Sequence, residues 1–279
     1  MVIPTGRPSW AFWRRHPVVP ALRLSGVIGS LPLRGGGLTL AGLERAIDQA
    51  FALRHAPAVA LIVNSPGGSA VQAALLAARI RHLADKKRRA VLAFVEDVAA
   101  SGGYWLATAA DEIFVHPASV LGSIGVISAG FGFDGALARL GIERRVHTAG
   151  SRKSFLDPFR PERPEDLALL AELQADIHER FKEQVRQRRA GRLEAPEAEL
   201  FEGRVWTGTR AVELGLADGL GELRETLEAR FGPKVRVRLV NQPRRRLLER
   251  LGLGGSGADA LAEALALVEE RALRSRLGL

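Results

Sequence analysis

The sequence predicts an α/β fold: a mainly parallel sheet with packed helices and a helical C-terminal extension. Three observations carry this. Short continuous apolar runs, Val59 to Val63 and Ala90 to Val95, read as strands buried on both faces. Helical patterns alternate with such runs through the first half of the chain, as parallel strands with crossover helices require. Glycine-bearing turns follow both runs, at 64–69 and 101–103.

The elements follow in order. Leu22 to Ile28 reads as a strand ending at Gly29, and Leu40 to Leu53 as an amphipathic helix capped by Thr39. After the Val59 strand and its turn, Ala70 to Ala84 is a long helix. The Ala90 strand leads through Asp97-Val98-Ala99-Ala100-Ser101-Gly102-Gly103 to a helix over Tyr104 to Ala110. Strands are expected at Ile113 to Val115, near Ile124 to Ile127 and at Arg144 to His147, with a helix at Phe133 to Leu140. The second half is mostly helical. Pro164 suits the first turn of a helix running to about Arg189. Gly203 to Gly221 reads as turn–helix–turn, Gly221 to Phe231 as a helix, and Val235 to Val240 as an edge strand. Beyond Gln242 the chain is basic, then glycine-rich, then helical from Ala258. The expected organisation is an N-terminal arm (1–20), a main α/β unit (21–241) and a basic helical tail (242–279).

Composition narrows the function. The 279 residues are 47% hydrophobic and 25% charged, which supports one substantial core. There is no cysteine, so disulfides, cysteine-ligated metals and thiol nucleophiles are excluded. Net charge is +9, concentrated at Arg7–Arg15, Arg79–Arg89, Arg180–Arg192 and Arg244–Arg250. Such clusters favour anionic surfaces or acidic partners, or simply solvate helix faces. No aromatic–basic stripe or nucleic-acid module accompanies them, so no nucleic-acid partner is expected. No transmembrane helix or signal peptide is expected; Pro117 to Phe133 is apolar but carries four glycines and a proline. Trp10, Phe12 and Trp13 among arginines suit a membrane–water boundary as well as a docked arm. The expected location is cytoplasmic or peripheral at the inner membrane.

The chemistry concentrates around Ser101. A serine at a strand-to-helix turn exposes its hydroxyl beside free backbone N–H groups, where a nucleophile and an oxyanion hole are built. The hydroxyl needs a base. Of the histidines, His116 and His147 fall at strand ends, so a Ser–His pair stays open. Lys153, in Gly150-Ser151-Arg152-Lys153-Ser154, is the other candidate. A free lysine has a pKa of about 10.4, so roughly one in 2,500 is neutral at pH 7, and a lysine base needs an apolar, carboxylate-free setting. Phe155, Leu156 and Phe159 offer apolar surroundings; Asp157 must point elsewhere. The Asn64-Ser65-Pro66-Gly67-Gly68 turn and Gly102 are candidate oxyanion donors.

Five segments, in order, resemble the signal peptide peptidase A (SppA) family, which has a ClpP/crotonase-like fold. They are Asn64-Ser65-Pro66-Gly67-Gly68, Val98 to Trp105, Gly122-Ser123-Ile124-Gly125-Val126, Gly150 to Ser154 with Pro158-Phe159, and Gly203 to Gly208 with Glu213 to Asp218. The resemblance runs from about Leu22 to Phe231. It implies that Ser101 is the nucleophile, Lys153 the general base, and Ser123 the residue that orients the lysine, with Gly67 or Gly68 donating to the oxyanion. It implies an ATP-independent serine endopeptidase of apolar peptides or signal-peptide remnants, without metal or cofactor. It further implies a homo-oligomeric ring in which serine and lysine come from neighbouring subunits, so an isolated monomer is inactive. Family members often carry an N-terminal membrane anchor; with none expected here, a soluble or peripheral enzyme clearing short peptides is the expectation. Two other readings stay open: a crotonase-like enzyme acting on acyl-CoA thioesters, and a non-catalytic peptide-binding scaffold.

Overall fold

The apolar runs become strands because each can be covered on both sides. The computed structural model describes residues 16–29 and 37–241, and the elements alternate as the pattern requires. They are β1 (Val18–Ser25), α1 (Leu40–Ala52), β2 (Ala58–Ser65), α2 (Ala70–Lys87), β3 (Ala90–Ala100) and α3 (Gly102–Ala107). There follow β4 (Glu112–Val115), β5 (Val120–Gly122), α4 (Asp134–Arg139), α5 (Pro164–Arg188), α6 (Glu197–Leu200), β6 (Val205–Thr207), α7 (Gly208–Glu213), β7 (Gly219–Leu220), α8 (Leu223–Phe231) and β8 (Arg236–Leu239). The sheet order is β6-β5-β3-β2-β1-β8, and all pairs are parallel except β5 with β6. All eight residues of β2 are buried. One face of the sheet, with Leu22, Leu61, Val63, Val91 and Ala93, packs against α1, α2 and α3. The other, with Ala60, Ile62, Leu92 and Phe94, packs on Leu227 of α8. Fully burying each such Val, Leu or Ile contributes about 1.5–3 kcal/mol.

β3 positions the site by changing partner along its length. Leu92–Val95 pair with β4, whereas Val98–Ala100 pair with β5. Glu96 and Asp97 lie at the fork, where Arg23 donates to Glu96 at 2.6 Å and Asn64 donates to Asp97 at 2.7 Å. The C-terminal ends of β2, β3 and β5 therefore converge.

Several sequence expectations need correction. Ile124 to Ile127 is not a strand; the strand ends at Gly122, because Ser123 turns the chain with φ 51°. Arg144 to His147 is not a strand either: these residues are largely exposed and find no sheet partner in the described structure. The helix expected from Tyr104 starts at Gly102 and ends at Ala107, and β3 continues to Ala100. Gly203 to Gly221 holds two short strands, β6 and β7, besides α7. The edge strand at Val235 to Val240 is present as β8, on β1. The helix expected from Ala258, the tail from 242 and residues 1–15 of the arm lie outside the described residues. Among the described residues no helix is long and apolar enough to cross a membrane.

Residues 126–162 form an arm with little core of its own. Ile127, Phe131, Leu140 and Ile142 are more than half exposed. The arm folds about Phe133, which stacks on Phe159 at 5.5 Å between ring centroids, with Arg144 over Phe159 at 5.2 Å. α5 follows, opened by Pro164 with Glu165 and Asp166 in its first turn and Arg186 and Arg188 in its last, matching the helix dipole.

A buried network ties α5 to the chain before β7. Arg189, 2% exposed, donates to Gly215 O at 2.9 and 2.7 Å and to Asp218 at 2.7 Å. Asp218 also accepts the Ile113 N–H at 2.7 Å. Tyr104 of α3 donates its hydroxyl to Leu216 O at 2.8 Å; burial pushes that hydroxyl's pKa well up, so it remains a donor. Removing one member of a buried ion pair leaves the other poorly compensated. Arg189→Met is therefore expected to lower unfolding free energy by about 3 kcal/mol, read from the urea midpoint.

Candidate active site

Three strand ends build the site. β3 delivers Ser101 at a sharp turn, with φ 51° and ψ −123°, directly before α3. Such a conformation costs about 1–3 kcal/mol for a residue with a side chain, and surrounding structure must hold it. It is held on one side by β5, since the Ser101 N–H donates to Gly122 O at 2.8 Å. On the other side, the Trp105 N–H closes the first helical turn onto Ser101 O at 3.0 Å. Ser123 leaves β5 beside Ser101, because Ala100 is the partner of Gly122 in the ladder. It has the same φ, 51°, and its N–H donates to Arg204 O at 2.7 Å. Two strained serines thus sit side by side at adjacent strand exits, both partly exposed.

The glycine turn after β2 fits against Ser101. At Gly67 a side chain is impossible without movement: a Cβ there would lie 2.8 Å from Ser101 Cβ, and φ is +110°. Gly67 spends its N–H on Ser65 Oγ at 3.2 Å, and its carbonyl accepts the Ile28 N–H at 2.8 Å. Gly68 bridges in parallel to Ile28, so its own N–H points away from that partner; it is exposed, while Gly67 is buried. Among the described residues neither the Gly68 nor the Gly102 amide donates to a protein acceptor. Gly103 permits the contact of α3 with β2, since a Cβ there would meet Ser65 O at 2.2 Å. Gly67→Ala is expected to destabilise the fold by about 1–3 kcal/mol and to displace Ser101, slowing its reaction with a fluorophosphonate about 100-fold. Thermal unfolding and labelling rates check the two effects.

Lys153 lies apart in sequence, on the 126–162 arm. It is exposed on the arm, its N–H donating to Gly150 O at 3.1 Å, and among the described residues no hydrogen bond or ion pair joins it to Ser101 or Ser123. Asp157 is occupied elsewhere. It accepts the Phe159 N–H at 3.1 Å and faces Arg144 at 3.4 Å, and these two contacts hold its carboxyl below the usual carboxylate range. His116 accepts the Ala118 N–H at 3.1 Å and lines a cavity of about 550 Å³ with Glu96, Ser119 and Arg224, on the sheet face that carries α8. That engagement argues against His116 as a base for Ser101. Sequence reading missed the stripe of α5 that touches the Ser123 turn and α3; the signal available was the 3–4 residue spacing of His178, Phe181, Gln184 and Arg188.

A mainly parallel α/β sheet with a strained serine between glycine turns at converging strand ends defines a class: serine-bearing peptidase folds of ClpP-like architecture. The family model described as Peptidase family S49 matches residues 83–231, which include Ser101, Ser123 and Lys153. The chain belongs to peptidase family S49. A candidate protease of Synechocystis is 30% identical over 244 residues, covering 84% of this chain and 86% of that protein. The chloroplast serine protease SPPA of Arabidopsis thaliana is 31% identical over 201 residues, 72% of this chain and 29% of that protein. A protein of Brucella abortus named as the Na(+)/H(+) antiporter NhaA is 48% identical over 275 residues. That match covers 94% of this chain but only 37% of the Brucella protein, so the chain spans little more than a third of that relative's length.

Proposed function

We propose that this protein is a serine endopeptidase with a Ser101–Lys153 dyad, ATP-independent and without metal or organic cofactor. Its substrates are short apolar peptides, including signal-peptide remnants. The observation that supports it most is the strained, partly exposed Ser101 at a strand end, packed against the Gly67–Gly68 turn, with the Gly68 and Gly102 amides donating to no acceptor among the described residues. Ser101 Oγ attacks the scissile carbonyl carbon as its proton passes to neutral Lys153. The carbonyl oxygen becomes an oxyanion between the Gly68 and Gly102 N–H groups. Lys153 returns the proton to the leaving amine, and an acyl-enzyme remains until water, deprotonated by the same amine, releases Ser101. Ser123, beside Ser101 at the next strand exit, accepts from and orients the lysine.

Lys153 reaches this site from a second copy. The arm that carries it exposes Ile127, Phe131, Leu140 and Ile142, apolar surface that a neighbouring subunit would cover. A head-to-tail interface whose rotation closes makes a ring, the assembly proposed here. The peptidase unit spans 21–241 together with Val18–Pro20, the start of β1, and is flanked by the rest of the N-terminal arm and the 242–279 tail. Labelling with a fluorophosphonate, with cleavage of a quenched apolar peptide, tests the assignment. Wild type reacts and cleaves, whereas a scaffold does neither and an acyl-CoA enzyme turns over thioesters instead.

A further inference from the structure

α5 reaches the Ser123 turn, α3 and the segment after Lys153, and it does so largely with polar side chains. His178, Phe181, Gln184 and Arg188 lie at the 3–4 residue spacing that makes one face of a helix. His178 Nε2 lies 3.1 Å from Ile124 O, the carbonyl following Ser123. A carbonyl only accepts, so Nε2 carries the hydrogen. Phe181 stacks on Trp105 at 4.9 Å and 22°, and it is the Trp105 N–H that closes onto Ser101 O. Gln184 donates to Thr108 Oγ1 at 3.1 Å. Arg188 donates to Thr108 O and Ala110 O, both at 2.9 Å, just past the C-terminal end of α3, where carbonyls lack helical partners. At the opposite end of α5, Asp166 is held by Arg163 at 2.8 Å and accepts the Leu156 N–H at 3.4 Å, in the segment after Lys153.

A helix needed only to cover the core would present apolar side chains along this face. Among its residues only Phe181, Val185 and Asp166 are buried, and on this face His178 donates to the Ser123 turn while Gln184 and Arg188 donate at the end of α3. We propose that this stripe is a positioning element, with His178 holding the Ser123 turn and Phe181, Gln184 and Arg188 holding α3 so that Ser101 stays in register with Ser123. The inference rests on Ser101 as the nucleophile. α3 is short, a rod of about 9 Å, so a tilt of about 6° at the Arg188 end moves Ser101 by about 1 Å. A misplacement of that size costs about 100-fold in rate.

The test compares His178→Leu with His178→Gln and Arg188→Met with Arg188→Lys in the full chain. Hydrogen exchange is followed at 101–110, at 123–126 and, as reference, across β2. His178→Leu should speed exchange at 123–126 and Arg188→Met at 101–110, with β2 unchanged. Both should lower kcat and Ser101 labelling about 10- to 100-fold while KM moves less than about twofold, and Gln or Lys should recover most of the loss. Unchanged exchange at both turns would overturn the proposal. So would losses shared equally by the conservative variants together with β2, which is general unfolding. Exchange does not depend on catalysis: if Ser101→Ala stayed active, the nucleophile assignment would fall, while the exchange result alone decides whether α5 holds the two turns.

Discussion

Ser101→Ala is expected to reduce peptide cleavage by about 10,000-fold or more and to abolish fluorophosphonate labelling, without unfolding the protein. The size follows from what the hydroxyl does. Without it no acyl-enzyme forms, and the remaining donors act only on direct attack by water. The fold survives because alanine keeps the backbone that the turn requires. The strained φ of 51° is imposed by the Gly122 and Trp105 hydrogen bonds, and neither uses the serine side chain. The melting temperature should move by no more than about 2 °C. Cleavage and labelling within about twofold of wild type would remove Ser101 from the mechanism. A loss of activity accompanied by a large drop in melting temperature would trace it to the fold instead.

Much of this architecture is legible in the residues, and the failures have physical causes. β2 and the start of β3 are continuous apolar runs, and a strand buried on both faces leaves that trace. The second half of β3 hides because Glu96 and Asp97 interrupt the run. They are tolerated because the sheet forks there and Arg23 and Asn64 meet them, which is long-range information. The start of α3 hides for a related reason. Two glycines are poor helix formers, yet the approach of Gly103 to Ser65 O leaves room for nothing larger. Alternating apolar residues near Ile124 suggest a strand, but Ser123 takes a left-handed turn that no local pattern announces. At the site, Ser101, Gly67, Gly68 and Gly102 could be picked out from local sequence, Ser123 only through the family resemblance, and one chain gathers the serines and glycines. Lys153 is exposed on the 126–162 arm, and the proposed function has it meet Ser101 across a subunit interface.

Lys153→Ala is expected to match Ser101→Ala in its loss, and the pair should complement. An amine that acts as base only when neutral cannot be replaced by the hydrated solvent around an exposed arm. If each site joins Ser101 of one subunit to Lys153 of the next, a Ser101→Ala ring has every lysine and no serine. A Lys153→Ala ring has the reverse. Mixing the two after dissociation and reassembly places intact serines beside intact lysines. With random neighbours, half the sites carry a serine and half of those face a lysine, so activity should return to about a quarter of wild type. A site built within one chain predicts no recovery at any mixing ratio, because each subunit then lacks one partner permanently. The same geometry makes assembly a condition of activity. Replacing Phe131 and Ile142, both exposed on the arm, by aspartate should release monomers that keep the β2–β3 core and lose cleavage. Size-exclusion chromatography and peptide assays read the two together. Monomers that cleave at the wild-type rate would show that the base for Ser101 comes from within its own chain.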